Sequence, residues 1–254
     1  MAWKRFSIDQ AEAVSHGLED EYLRLRIAQS KSFISRISGD MEDAASSLGD
    51  LSQFRVESLM NRRIHAAIGQ AAIQQSLNYI LVDELSPAKA VVEGWSPVDQ
   101  NPSSLEKAVP VRKHMMLARV LRPRGLFGES LLHSITAHEI LSQFESLFFD
   151  EHLGDPVSNH ADTLRELNDP WSAENMLRQE IALQDQSGVS SSKLHLQLSV
   201  AEALFAQERL EEAKLLCLYV GSRPDLLKLE KLRLHITMAK IHHIHAEYEE
   251  ALPH

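Results

Sequence analysis

The 254-residue chain has few of the residues that support disulfides or bind nucleic acid. Its one cysteine, Cys217, cannot form an internal disulfide, which is typical of a reducing compartment. The 26 Lys and Arg are outnumbered by 36 Asp and Glu, and a net charge of −10 argues against general binding to phosphates. No run approaches the ~20 apolar residues of a membrane span, and none follows Lys4 and Arg5 as a signal peptide requires. We expect an intracellular protein, cytoplasmic or nuclear, that binds neither nucleic acid nor membrane.

Glycine and proline are also scarce, at ten and nine residues, and alternating β-branched runs are missing. Apolar residues recur instead at helical spacing, and at 44% of the chain they suffice for a core. The sequence therefore predicts an all-α fold whose helices are separated by short breaks. The predicted breaks include 94–104, 123–125, 150–158, 168–170 and 184–192. We expect one helical-repeat domain over 1–254, with a weak subdivision near 94–104.

A short pattern recurs along these predicted helices. It consists of a small residue, a Gly or polar break seven positions later, a large apolar residue two further on, and a second small residue after three more. The copies are Ala118, Gly125, Phe127 and Ser130; Ala201, Glu208, Leu210 and Ala213; Ala239, Ala246, Tyr248 and Ala251; and, more loosely, Ser32, Gly39, Met41 and Ala44. Helix pairs at regular intervals are typical of α-solenoids, which hold partners along an extended surface.

The pattern resembles the tetratricopeptide repeat (TPR), well over 115–140, 194–220 and 232–252 and less well over 25–48. At 72–95 and 158–182 the likeness is weaker, because Pro87 and Trp171 stand where the aromatic residue belongs. Six units then place the first small position at Ser32, Asn78, Ala118, Asp162, Ala201 and Ala239. Their intervals exceed the about 34 residues of the family, so longer helices are expected. The resemblance implies antiparallel helix pairs stacked into a right-handed α-solenoid without catalytic activity.

The last unit is incomplete as a repeat, since only two or three residues of its second helix precede residue 254. Its first helix would leave Leu234, Met238, Ile241 and His245 uncovered. This pattern indicates either a fragment of a longer array, which we favour, or self-association that covers the exposed end.

In TPR-like stacks the first helix of each unit lines a concave groove. The resemblance places the lining side chains at positions −6, −3, +1 and +4 from the small residue. They are Arg26, Gln29, Phe33 and Arg36; Arg112, Met115, Arg119 and Arg122; and Arg233, Ile236, Lys240 and His243. The predicted partner-binding residues are Arg26, Arg36, Arg112, Met115, Arg119, Arg122, Arg233, Lys240 and His243. Arginine forks suit carboxylates, so we expect an acidic peptide or protein partner; the alternative is pairing with nearby Asp and Glu of the same chain.

Candidate metal and catalytic residues are few. The histidines His235, His242, His243 and His245 form the most ligand-like cluster, but no adjacent Cys or carboxylate completes a tetrahedral set. Cys217, within an apolar run, is expected to be a buried, inert thiol. The tryptophans Trp3, Trp95 and Trp171 are expected to be packing anchors. We therefore predict no metal, no cofactor and no catalytic residue.

Two other functions stay open. Residues 148–151 with Asp155 resemble the acidic magnesium motif of helical terpene cyclases, although the second motif, around Asn168 and Asp169, has Met176 where an acid belongs. That reading implies a magnesium-dependent enzyme acting on a diphosphate. The second of these alternative functions is a sensor or regulatory repeat fragment of a larger signalling ATPase, whose nucleotide domain would lie outside this chain. The favoured hypothesis is a non-catalytic scaffold that binds a peptide segment or protein subunit.

Overall fold

A computed structural model describes residues 21–49, 51, 62–98, 104–143, 154–187, 193–224, 226 and 228–246. Within these ranges the chain forms eleven α-helices and no strands, which confirms the all-α prediction. The helices are α1 Glu21–Ser38, α2 Met41–Ser46, α3 Arg62–Leu81, α4 Leu85–Glu93, α5 Ser104–Leu121, α6 Phe127–Ser142, α7 Gly154–Glu166, α8 Pro170–Ser187, α9 Lys193–Ala206, α10 Leu210–Gly221 and α11 Lys228–Ile244. A 3₁₀ turn, Arg122–Arg124, separates α5 from α6.

The chain forms two compact units, 1–120 and 121–254. In the first unit, α1 packs against α2 and α3, and α3 packs against α4. Its core includes Leu25, Ala71 and Trp95. At Gly69 the backbone of α3 packs tightly against Trp95 and α5, because a Cβ there would stand 2.6 Å from Val109 Cγ1 and 2.7 Å from the indole. The glycine that interrupts the apolar pattern of α3 is therefore required by packing.

In the second unit each helix packs against the next along the chain from α6 to α11, and alternate helices α7, α9 and α11 also touch. The core combines two clusters, one around Leu177, Leu196 and Leu204 and the other around Leu198 and Cys217. The contacts between alternate helices identify α7, α9 and α11 as a layer of first helices, with α8 and α10 as the second helices of their pairs.

In the described ranges, six residues with left-handed φ between 59° and 87° end the first helices. They are Gly39, Asp83, Gly125, Asn168, Glu208 and Ala246. Seven positions before them lie Ser32, Ser76, Ala118, Ala161, Ala201 and Ala239, of which all but the half-buried Ala239 are completely buried. Five positions after the first five left-handed residues, Gly39 to Glu208, lie Ala44, Ala88, Ser130, Ala173 and Ala213, all completely buried. Small residues at these two sites allow each helix pair to pack closely.

This regularity corrects the predicted register of two units. The small residues of the second and fourth units are Ser76 and Ala161, rather than Asn78 and Asp162. Asn78 is buried as a hydrogen-bond donor, since its Nδ2 donates to Ser32 Oγ at 2.9 Å and to the Ala44 carbonyl at 3.0 Å. Asp162 is 30% exposed and belongs to an ion-pair network. With the corrected register, Leu85 and Pro170 replace Pro87 and Trp171 at the large apolar position.

Several predicted breaks are shorter than expected. Helix α5 begins at Ser104, the last residue of the predicted break 94–104, and includes Pro110. Helix α7 begins at Gly154, so residues 154–158 are helical, with Pro156 tolerated in the first turn. Helix α8 continues to Ser187, so the first four residues of the predicted connection 184–192 are helical. Proline and serine thus misled the prediction of the breaks, because both residue types occur within helical turns here.

Candidate partner-binding surfaces

The first predicted surface lies on α1 and α3, which run parallel. Arg26 Nη1 donates to Gln29 Oε1 at 2.9 Å and to Gln70 Oε1 of α3 at 3.2 Å. Ten residues along α1, Arg36 Nη1 donates to Asn78 Oδ1 of α3 at 3.1 Å. Both arginines therefore bond to neutral amides, which orient the guanidinium groups without cancelling their charge.

An exposed aromatic ring lies beside these arginines. Phe33 is 49% exposed on α1, and its ring centroid is 5.5 Å from the guanidinium carbon of Arg36. Burial lowers the pKa of Arg36 from its usual value. The α1/α3 surface, defined here by Arg26, Phe33, Arg36, Gln70 and Asn78, thus combines two cations with one apolar side chain.

The second predicted surface lies on the first helices of the second unit, where arginines bond to carboxylates. Arg122 Nη1 lies 3.2 Å from Asp162 Oδ2. The other carboxylate oxygen of Asp162, Oδ1, lies 2.6 Å from Arg165 Nη2. Arg165 also reaches Glu202 Oε2 at 3.1 Å, and Arg233 Nη2 lies 2.9 Å from the same atom. These five residues form a continuous ion-pair chain across α7, α9 and α11.

The ion-pair chain is half-buried, with side-chain exposures between 16% and 30%. Burial alone would raise the pKa of Asp162, but the charges of Arg165, Arg122 and Arg233 outweigh it and hold the pKa below its usual value. Arg233 further donates to Ser199 Oγ at 2.9 Å, and its Nη1 lies 3.0 Å from His195 Nδ1. The ion-pair chain contains three cations and two anions, so most of the charge of these five side chains is cancelled among themselves.

The other predicted partner-binding residues lie in varied surroundings. Arg112 and Arg119 are half-buried on α5 and each interacts with other groups of the protein. Met115 is only 4% exposed, so its side chain offers little surface to a partner. Lys240 and His243 are exposed on α11, beside Ile236 at 45% exposure. Among the predicted set, only Arg26, Lys240 and His243 are thus exposed rather than buried or half-buried.

The prediction that the last unit has an uncovered apolar face is wrong. Leu234, Met238 and Ile241 are 8%, 4% and 0% exposed, because they pack on α9 and α10. The large apolar side chains of α11 that are exposed are Leu232, Ile236 and Ile244. The predicted second helix of this unit would lie within 247–254, outside the described residues, and self-association stays a prediction.

Three groups of residues are candidate metal or catalytic sites: the histidines of α11, the two acidic motifs and Cys217. His242 is buried and His243 exposed, and no group of three or more His, Cys, Asp or Glu in the described ranges is arranged to hold a metal. Residues 148–151 of the acidic motif lie outside those ranges. Asp169 caps α8, since its Oδ1 accepts a hydrogen bond from the backbone N–H of Ser172. Hydrogen bonds from the side chain and the backbone of Ser172 lower the pKa of this carboxyl. Burial raises the pKa of Cys217 to about 12, as expected for an inert thiol.

The tryptophans differ from one another. Trp95 is a packing anchor as predicted, since it is 5% exposed and its Nε1 donates to the His65 carbonyl at 2.9 Å. Trp171 is 62% exposed, with the Arg209 guanidinium carbon 5.5 Å from its ring centroid, so its prediction as an anchor is wrong. Trp3 lies outside the described residues.

The prediction missed Asp162, Arg165 and Glu202 as surface residues of the first helices. With Ala161 and Ala201 as the small residues, these three fall at positions +1, +4 and +1 of their units. The register error at the fourth unit hid Asp162 and Arg165, whereas Glu202 follows Ala201, a small residue that was placed correctly. None of the helices in the described ranges is both long and apolar enough to cross a membrane.

Solved structures identify the fold. Two structures of a Podosopora anserina protein, described as a putative kinesin light chain with nearly identical TPR-like repeats, superpose on this chain at 17% identity. The structure of a single-substitution variant of that protein gives a TM-score of 0.55 over 80% of this chain and 95% of that one, and the other gives 0.52 over 78% and 94%. No protein-family model and no curated protein sequence matches. Together with the corrected helix-pair register, these superpositions show that the chain has a TPR-like helical-repeat fold.

Proposed function

We propose that this protein is a non-catalytic helical-repeat scaffold that binds an acidic segment of a protein partner on the α1/α3 surface. A TPR-like fold suits this role, because stacked helix pairs present side chains from successive first helices along one surface. The observation that carries the proposal is the bonding of Arg26 and Arg36 to neutral amides. Each guanidinium keeps its positive charge, and a carboxylate is the group that would complete its bonding.

The rest of the surface supports the same class of ligand. Phe33, at 49% exposure beside Arg36, would pack against an apolar side chain or the peptide backbone of the segment. Arg26 and Arg36 are ten residues apart on one helix, or about 15 Å along its axis. An extended peptide covers that distance in about five residues, so we expect two acidic residues separated by about that number of positions.

The remaining predicted contacts have a smaller part in this proposal. Arg122 and Arg233 bind Asp162 and Glu202, so a ligand would have to compete with those carboxylates. Arg112, Arg119, Lys240 and His243 stay proposed contacts, and Met115 is proposed only as a buried support. We place the scaffold inside the cell, in the cytoplasm or nucleus, as its single cysteine and acidic composition suggest.

The test is a double charge reversal, Arg26→Glu with Arg36→Glu, compared with Arg24→Glu. Arg24 is exposed on the same helix but two residues from Arg26, so it points to a different side. Partners captured from lysate by the unmodified protein are identified, and their acidic segments are made as labelled peptides for fluorescence anisotropy. We expect the double variant to weaken peptide binding by about 10- to 100-fold, the effect of losing one or two charge-assisted contacts, and Arg24→Glu to change it by less than about 3-fold.

Circular dichroism of both variants controls for folding. Equal peptide affinity in the folded double variant and the unmodified protein would reject the α1/α3 surface as the binding site. Peptides that bind equally well after their acidic residues are replaced by amides would reject the acidic partner.

A further inference from the structure

Helix α10 carries an apolar stripe on its outward face. Leu215, Leu218 and Tyr219 are 66%, 54% and 50% exposed. They are three and four residues apart, a spacing that places them side by side on one face of a helix. Ala213, Cys217 and Val220 occupy the opposite face and are completely buried. The three exposed side chains therefore do not contribute to the core.

The other repeats show that the fold does not require this stripe. Its three residues lie 7, 10 and 11 positions after the left-handed residue Glu208. The same positions of the repeats that contain α4, α6 and α8 hold, in order, Ala90, Glu93 and Gly94; Leu132, Ile135 and Thr136; and Asn175, Arg178 and Gln179. Large apolar residues among these occur only in α6, where Leu132 is exposed and Ile135 is half-buried. Three exposed large apolar residues distinguish α10 from these second helices, and clustered exposure of this kind marks interaction sites.

Acidic side chains lie at the N-terminal end of the stripe. Glu211 is one turn before Leu215 on the same face and its side chain is 78% exposed. Its ion-pair partner in the described part of the chain is His245, at 3.9 Å, which is a cation only when protonated. Glu212 differs, because Arg209 holds it through two hydrogen bonds of 2.7 and 2.6 Å. Glu208 is also exposed. Glu208 and Glu211 thus leave negative charge at this end, in a protein of net charge −10.

From this arrangement we infer that the outward face of α10 docks an amphipathic helix of a second protein. The apolar side of that helix packs on Leu215, Leu218 and Tyr219, and a Lys or Arg near one end pairs with Glu211 and Glu208. A helix is the fitting shape, because apolar side chains at positions i, i+3 and i+4 of two helices interdigitate. The cation provides orientation, since a helix laid in reverse would place its charge beside Tyr219 instead.

This surface is separate from the α1/α3 surface of the proposed function. The two bind opposite charges, since one presents arginines and the other glutamates. A variant of Arg26 and Arg36 therefore leaves docking on α10 unchanged, and a variant of α10 leaves binding of acidic peptides unchanged. The two proposals can fail independently.

The experiment is a selection from a displayed library of 18-residue helical peptides, with apolar positions at i, i+3, i+4 and i+7 and Lys, Glu or Ser at the flanking positions. The selection uses the full chain. We expect enriched peptides to carry Leu, Ile or Phe at the apolar positions and Lys or Arg near one end. Their affinity should fall at least 10-fold for Leu215→Glu with Leu218→Glu, and at least 3-fold for Glu208→Lys with Glu211→Lys.

Leu132→Glu is the matched control, because Leu132 is 63% exposed at the position of α6 equivalent to Leu215. It should leave the affinity unchanged. The inference is overturned if no peptide is enriched, if enriched peptides are acidic, or if they bind the Leu215→Glu, Leu218→Glu variant as tightly as the unmodified protein. It is also overturned if light scattering shows a dimer that this variant dissociates, because a second copy would then be the occupant.

Discussion

The two units place arginines at equivalent repeat positions but bond them to different partners. Four residues after the small residue stand Arg36 in the first unit and Arg122 and Arg165 in the second. Each reaches a side chain of the following repeat. Arg36 reaches the amide of Asn78, whereas Arg122 and Arg165 reach Asp162 and Glu202. The arginine four residues after the small residue thus keeps a positive charge available to a ligand in the first unit, whereas in the second unit it forms an ion pair.

The difference separates two uses of charge in a repeat protein. A carboxylate partner neutralises the guanidinium and joins consecutive repeats, because removing either ion leaves the other half-buried without its counter-charge. An amide partner orients the guanidinium at little electrostatic gain, so the positive charge can serve an external ligand. We therefore expect mutations in the ion-pair chain to affect stability and mutations of Arg26 and Arg36 to affect binding.

Removing the central carboxylate should have the largest effect on stability. Glu202→Ala leaves Arg165 and Arg233 without their shared partner, which is only 16% exposed, and should cost about 2–3 kcal/mol of unfolding free energy. Gln70→Ala removes one of the two amide partners of Arg26 in the first unit and should cost less than about 0.5 kcal/mol. Urea denaturation of both variants measures the difference. Similar losses would contradict the separation of the two units by charge.

Acid should destabilise the second unit through His160 of α7. Burial, with a smaller contribution from the nearby His138, lowers the pKa of His160 to about 4. The unfolded chain binds this proton at about pH 6.5, so the stabilisation is complete above that value and is lost as the pH falls towards 4. Because the ring is partly exposed, we expect a loss of about 1–2 kcal/mol over this range. His160→Phe should flatten the pH dependence. Hydrogen exchange, corrected for intrinsic rates, should show α7 losing protection before α1; the reverse order would contradict the prediction.

The smallest effect is expected at Arg36. Arg36→Met replaces a partly desolvated cation, bonded to a neutral amide, with an apolar side chain of similar length, and should change the unfolding free energy by no more than about 0.5 kcal/mol. Arg233→Met in the ion-pair chain is the matched comparison and should cost more, because Glu202 loses one of its two cations. Thermal melts of the two variants measure this contrast. A larger loss at Arg36 would show that its charge stabilises the first unit.

Most of the architecture could be predicted from local pattern. The small residues Ala118 and Ala201, the breaks at Gly125 and Glu208, and the helices around them lie where the repeat places them. The errors came from residues whose conformation depends on distant contacts. Asp83 and Asn168 adopt left-handed φ without being glycine, so the turns of the second and fourth units gave weak signals. Pro110 lies within a helix, although the local preference of proline is to end one, and Pro156 lies in a first helical turn, which tolerates proline.

The candidate surfaces were less predictable than the fold. The repeat spacing selected Arg26, Arg36, Arg122 and Arg233 as side chains of the first helices, but it could not tell which of them lack a carboxylate partner. The exposure of Leu215, Leu218 and Tyr219 likewise depends on which face of α10 packs against α9.

The amino-acid sequence by itself determined the helical periodicity, the small residues of each pair and therefore the TPR-like fold, because these depend on neighbours within about one or two helical turns. Only the tertiary structure decided that Arg36 meets an amide and Arg165 a carboxylate. Those contacts join residues 42 and 37 positions apart, and the relative shift of two packed helices sets which side chains meet. A shift of a single residue along either helix would separate these pairs, so the division between binding charge and structural charge is a property of packing.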